Sequence, residues 1–312
     1  MKHFLKNIPM PIVGLMLSIA ALGNLIQSYG KGYKTIAAVL ATTIFIVVTI
    51  KFLSDFKTLK KELETPIGAS VFPTYTMGIM LLATYLKPYH SQIAFGVWLL
   101  AILLHIILMV YFTTRFMKNF NIMNVFPSWF IVYVGIAVAS VTGKTFHQSI
   151  GQFAFYFALL TYIILLPIIT KRVFFVKQIP EPALPTLIIF SAPGSLCLAG
   201  YINSFDTKNL LLFWFLLVLS QAIYFLAIIK LLTLLRLKFY PSYSGFTFPL
   251  VISAIALKSS TAFLISKNYS IAFLPLLVKA EEIIAVLIVV YVLIRYITHI
   301  IKVTQNKHVS NT

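Results

Sequence analysis

Only seven carboxylates occur among 312 residues that carry 25 lysines and arginines. Two of the seven, Glu281 and Glu282, stand side by side in an apolar run with Lys279 just before them, and Lys258 lies in the apolar run before that. An ionisable side chain at such a place is costly, so it pairs with an opposite charge or faces water. If the turn between the two runs centres on residues 268–270, Lys258 lies about ten residues before it and the glutamates about twelve after it. At about 1.5 Å per residue in a helix these groups reach similar depth. Two kinds of chemistry fit: a self-neutralising cluster of Lys258, Lys279, Glu281 and Glu282, or a lysine that offers positive charge to an anion beside a glutamate able to take up a proton.

Other chemistries are poorly supplied. The six histidines are scattered without ligand spacing, and Cys197 is the single cysteine, so neither a metal site nor an intrachain disulfide is expected. Neither HExxH nor GxSxG occurs, and no aspartate-rich motif is available for metal-assisted transfer. The chain is expected to be no enzyme and to need no cofactor. Its net charge of +18 is spread over many segments without a nucleic-acid module, which sets nucleic acid aside as a partner.

The elements that must position these residues follow from composition. Sixty per cent of residues are hydrophobic, 10% are charged and the mean hydropathy is +0.95, whereas soluble domains are about a quarter charged. This composition reads as an integral membrane protein. Apolar runs long enough to cross a hydrocarbon core as helices lie near 9–28, 34–54, 69–86, 91–114, 125–143, 149–170, 183–203, 210–235, 242–266 and 273–300, followed by a short polar tail at 301–312. A single transmembrane domain of ten helices is expected. Lysine and arginine in short loops stay cytoplasmic. The termini and the loops after even-numbered runs hold 17 of the 25, among them Lys2, Lys60, Lys177 and Lys307, against 6 on the opposite side, including Lys31, Lys34 and Lys208. Both termini are therefore expected on the cytoplasmic face of a plasma or inner membrane, with the basic loops held against anionic lipid. A water-filled path through so basic a protein would favour anions.

A repeat is visible in the odd-numbered runs. An apolar or aromatic residue precedes proline at Met10-Pro11, Phe72-Pro73, Phe126-Pro127, Leu184-Pro185 and Phe248-Pro249. Such spacing marks five helical hairpins, each pairing a proline-bearing helix with a plainer one. Proline inside a helix frees a carbonyl that only protein or water can satisfy in a membrane, so the odd helices are expected inside, kinked at Pro11, Pro73, Pro127, Pro185, Pro193 and Pro249. They also carry small and hydroxylated residues such as Gly14, Ser18, Gly23, Asn24, Ser191, Gly194, Ser195 and Gly200. Close helix packing and pore lining are equally good uses for them.

The five hairpins, FTFPLVISAIALK at 246–258 and EPALPTLIIFSAPGSLCLAGY at 181–201 resemble the tellurite-resistance and C4-dicarboxylate transporter family. That family includes the plant slow-type guard-cell anion channels and bacterial proteins often misnamed exfoliative toxin A/B. The resemblance spans roughly residues 6–300. It implies an all-α fold of ten helices in quasi-five-fold arrangement, five inner helices lining a central pore, and a homotrimer with one pore per subunit. It also implies passage of small anions, and a pore-plugging phenylalanine best matched by Phe248, with Phe246 and Phe263 as the fallback matches. A proton-coupled carrier of C4-dicarboxylate, tellurite or sulfite is the alternative, and a membrane scaffold without transport is a remote one.

Overall fold

The computed structural model describes residues 5–118, 120–269 and 271–309, with 306–309 described by backbone alone. Lys2, Ser270, the Lys307 side chain and residues 310–312, which enter the topology reasoning above, lie outside this description. Among the described residues, ten helical segments are long and apolar enough to cross a membrane: Ile12–Tyr29, Lys31–Ser54, Pro66–Leu86, Ser91–Phe116, Trp129–Phe146, Gln148–Val176, Glu181–Ser204, Leu210–Leu234, Pro241–Ser266 and Leu274–Gln305. They are called the first to tenth spans. The tenth helix continues to Val309, so the polar tail is largely helical, and the sixth span ends in a π-helical turn over Lys171–Val176.

Odd and even spans occupy different layers. In the odd spans 67% to 83% of the apolar window is buried, against 22% to 33% in the even spans. Each odd span packs against the even span that follows it, giving five hairpins, and contacts between odd spans run first to third, third to fifth, fifth to seventh, seventh to ninth and ninth back to first. An inner ring of five is thus closed by contact, with the even spans outside it. The outer helices turn Leu100, Ile107, Leu211, Leu226 and Leu276 outward, where lipid accepts them at no hydrophobic cost.

Several of the prolines open helical segments, where interior kinks were expected. Pro11 and Pro73 stand at the N-cap of α-helical segments, and Pro193 lies in the first turn of Ala192–Ser204. Pro249 is two residues past the start of Thr247–Ser266, Pro127 precedes Trp129–Tyr133, and Pro185 sits in the 3₁₀ stretch Glu181–Ser191. The first turn has no intrahelical acceptor for its N–H groups, so proline starts a helix without losing a bond. Pro11, Pro127 and Pro249 thus lie where irregular or 3₁₀ chain becomes α-helix, whereas Pro73 interrupts the third span between the α-helices Pro66–Val71 and Thr74–Leu86, as a kink would, and Pro185 lies inside its 3₁₀ stretch. Pro167, within the α-helix Gln148–Thr170, belongs to an outer span.

The small hydroxylated residues are mostly packing devices. Four of the five inner contacts are bridged by buried hydroxyl pairs: Ser70–Ser128 at 2.6 Å, Ser140–Ser204 at 3.1 Å, Ser195–Ser253 at 2.9 Å and Ser18–Thr247 at 2.5 Å. At the remaining one, Tyr85 donates to the Ala20 carbonyl at 2.6 Å. Gly143 and Gly151 bring the fifth and sixth spans into backbone contact, since a Cβ on Gly151 would lie 2.9 Å from the Gly143 Cα. In a bilayer, where lipid competes equally for apolar surface, such close approach and hydrogen bonding hold helices together.

Candidate functional site: two central cavities that share Phe248

Two cavities lie within the inner ring, and each is lined by all five odd spans. The first is narrow, about 60 Å³, and is walled by the amino-terminal parts of those spans, including Pro11, Gly14, Val71, Thr74, Phe130, Ile189, Pro193 and Pro249. The hydroxyls of Thr74 and Thr186 on its wall donate to their own backbone, at 2.7 and 2.6 Å to the carbonyls of Val71 and Ala183, and Ser242 donates to the Pro182 carbonyl. Three of the four hydroxyl residues in this lining are thus engaged with backbone, and Ser244 is the fourth. The second cavity is wider, about 360 Å³, and is walled by the carboxyl-terminal parts, with Asn24, Gln27, Thr84, Thr142, Thr145, Asn203 and Ser259 among apolar neighbours. A third, of about 340 Å³, adjoins the narrow one through Pro11, Ile67 and Val71 and carries Lys61 and Glu62.

Phe248 and Leu196 line both central cavities. These are the two residues that the linings of the narrow and the wide cavity have in common. Phe248 is buried, and Pro249 beside it opens the ninth helix. Of the five residues preceding the repeated prolines, Phe248 is the one that faces both cavities. Phe246 turns away and packs on Tyr243 with ring centroids 4.7 Å apart. Phe263 packs on Phe213 at 4.9 Å and lies under the Lys208 ammonium.

The charged residues singled out from sequence gather elsewhere. Lys258 Nζ donates to Glu282 Oε1 at 2.7 Å, to the Leu25 carbonyl at 2.9 Å and to Ser28 Oγ at 2.8 Å. Tyr29 donates to the other Glu282 oxygen, and its ring lies 5.3 Å from Lys258 Nζ and 5.0 Å from Lys279 Nζ. Lys258 thus ties the ninth span to the first and tenth, and lines neither central cavity. The reason is local: Lys258 reaches the end of the first span, where a carbonyl, a hydroxyl and the Glu282 carboxylate satisfy all three of its donors. Glu281 is buried against Gln221 and Tyr224 of the eighth span, with no hydrogen bond of ordinary geometry on its oxygens. Lys279 is exposed.

The cation that does line the passage is Lys34, in the first turn of the second span. Its Nζ donates to Gln27 Oε1 at 2.9 Å and lies 5.4 Å from the Tyr85 ring centroid. No carboxylate lines either central cavity. Sequence reasoning counted Lys34 only as a loop charge, since nothing in its sequence neighbours shows that it meets the Asn24 to Gln27 end of the first span. Leu196 carried no signal at all. Among the described residues no group of histidine, cysteine, aspartate and glutamate is arranged to hold a metal ion. His105, fully buried, is occupied by Thr76 Oγ1 at 2.8 Å and the Val132 carbonyl at 3.2 Å.

A ring of five inner helices surrounded by five outer ones is the arrangement that the resemblance of the sequence motifs implied. The family model for SLAC1, voltage-dependent anion channel, matches residues 7–297, nearly the whole chain. The chain belongs to the SLAC1 family. A comparison with curated proteins gives no match. Family membership makes it an all-α multi-pass membrane protein of the anion channel and transporter class. In this SLAC1-family chain the ten spans of the fold, Phe248 at the junction of the two cavities and Lys34 beside the wider one form the candidate site.

Proposed function

We propose that the chain is a channel for small, singly charged anions, closed at rest by Phe248 and Leu196. The observation that carries this reading is that two cavities lined by all five inner spans share these two residues in their walls. An apolar constriction excludes water and ions, and a rotamer change of one aromatic ring reopens it without breaking backbone hydrogen bonds. The narrow cavity has no charge to replace lost hydration. The Born cost of dehydration grows as the square of the charge, so a dianion faces about four times the penalty of a monoanion of equal size. This favours nitrate-like and halide anions over C4-dicarboxylate or tellurite.

The carrier alternative draws its support from Glu281, a buried carboxylate without an ordinary hydrogen bond. Its position between the eighth and tenth spans, away from both central cavities, makes it a poor proton partner for a solute inside the ring. The five hairpins in quasi-five-fold array, assembly as a homotrimer within the cell membrane and cytoplasmic termini complete the reading. Purified protein in liposomes should pass nitrate at a rate indifferent to an imposed proton gradient. Obligatory dependence on that gradient would replace the channel with the proton-coupled carrier.

A further inference from the structure

We infer that Lys34 makes the wide cavity a holding site for one monovalent anion, immediately beside the Phe248 constriction. The inference rests on the reading of the ring as an anion passage. Lys34 enters the cavity from an outer span, between inner spans that otherwise contribute neutral side chains. Among the described residues the ion pair present is Lys258 with Glu282, so the Lys34 ammonium has no carboxylate to neutralise it. An ammonium has three donors, and Gln27 takes one of those on Lys34. Asn24, Thr145 and Ser259 on the same wall make no side-chain hydrogen bond among the described residues.

A lone cation in a water-filled cavity with low-dielectric walls concentrates anions there. Gln27 and the face of Tyr85 hold the ammonium in place without cancelling its charge, since an amide oxygen and a π-system are dipolar and quadrupolar partners. An anion that settles against Lys34 can collect further donors from the Asn24 amide and the hydroxyls of Thr145 and Ser259. With Phe248 on the same wall, the held anion waits next to the constriction it must cross. Lys34 therefore sets the apparent affinity for anions that enter from this side and leaves entry through the narrow cavity unaffected.

The test uses the full chain, purified and reconstituted in vesicles, with nitrate as the probe. Nitrate flux from the wide-cavity side is measured over a range of nitrate concentrations for the unaltered chain, Lys34→Met, Lys34→Arg and Lys31→Met. Nitrate-dependent rise of Tm in detergent is measured on the same preparations, because a ligand that binds the folded state stabilises it. One unit charge about 4 Å away under water-like screening changes affinity roughly fivefold. Lys34→Met should lower flux by about this factor at low nitrate, converge with the unaltered chain at high nitrate and lose the Tm response. Lys34→Arg should keep both. Lys31, exposed at the start of the same helix and outside the cavity, should be dispensable. An equal loss in Lys31→Met would assign the effect to diffuse surface charge and overturn the site. Unchanged flux and Tm response in Lys34→Met, in a chain that passes nitrate, would overturn the site and leave the passage standing. A chain that passes no nitrate but shows a Lys34-dependent Tm response would do the reverse.

Discussion

Replacing Lys258 by methionine separates a structural ion pair from a pore charge. Methionine keeps most of the apolar stem and removes the ammonium. The Glu282 side chain is 5% exposed and would keep only the Tyr29 hydroxyl as a partner. Removing one member of a buried pair costs about 3–5 kcal/mol, because the other charge is stranded. The Lys258 side chain is 34% exposed, and water reaching the site holds the expected loss near about 3 kcal/mol. Adding Glu282→Gln removes the stranded charge and should recover most of it, leaving a deficit of about 1 kcal/mol for the unpaired Leu25 carbonyl and Ser28 hydroxyl. Thermal unfolding and anion flux per folded oligomer are read on the same preparations of single and combined variants. The geometry predicts a large fall in stability, near-normal flux from the protein that remains folded, and recovery in the combined variant. Reduced flux at unchanged stability, not restored by Glu282→Gln, would refute the assignment of Lys258 to helix packing.

Three further outcomes are expected. Glu62, outside the spans beside the third cavity, has its carboxyl held above the ordinary range by burial, with Lys51 opposing more weakly. The folded chain then binds this proton more tightly than the unfolded chain, so the Glu62 contribution is fully present below the unfolded pKa and is lost as pH rises through the raised folded value. Glu62→Gln should flatten that decline in an unfolding titration, and an identical pH profile would discard the buried-carboxyl reading. Gly151→Ala, which places a methyl 2.6 Å from Ser204 Oγ and against the Gly143 backbone, should destabilise the protein by about 1–3 kcal/mol; a neutral effect would mean that the two spans separate freely. Single cysteines at Lys31 and Lys208 should label from the face opposite to those at Lys60 and Lys177, and labelling of all four from one side would end the ten-span topology.

Much of this fold could be read from the residues because the bilayer makes each span a long apolar run and each loop a charge record. The ten spans and the inner position of the proline-bearing ones follow from those runs and from the period of the repeat, and the closed ring of contacts agrees with them. The local role of several prolines was misjudged, since a proline ahead of a helix and one within it look alike in sequence, and only backbone geometry separates Pro11 from Pro167. Likewise Ser18, Ser195 and Ser253 serve packing or lining equally well on composition, and the direction of each hydroxyl decides for packing. Lys258 attracted attention because its depth was readable; its rotation about the helix axis depends on where Leu25, Ser28 and Glu282 fall in three dimensions. Leu196 and Lys34 were illegible for the same reason, as both gain their position from the ring rather than from their neighbours in sequence.

The unitary anion conductance of Phe248→Ala in a planar bilayer bears most directly on the central claim. Truncating a buried phenylalanine costs about 3–5 kcal/mol, so the variant is first shown to be folded and monodisperse. Loss of the ring joins the narrow and wide cavities, leaving Leu196 as the shared wall between them. Conductance should rise well above that of the unaltered chain while anion selectivity persists. A folded variant with unchanged conductance would show that anions do not cross at Phe248.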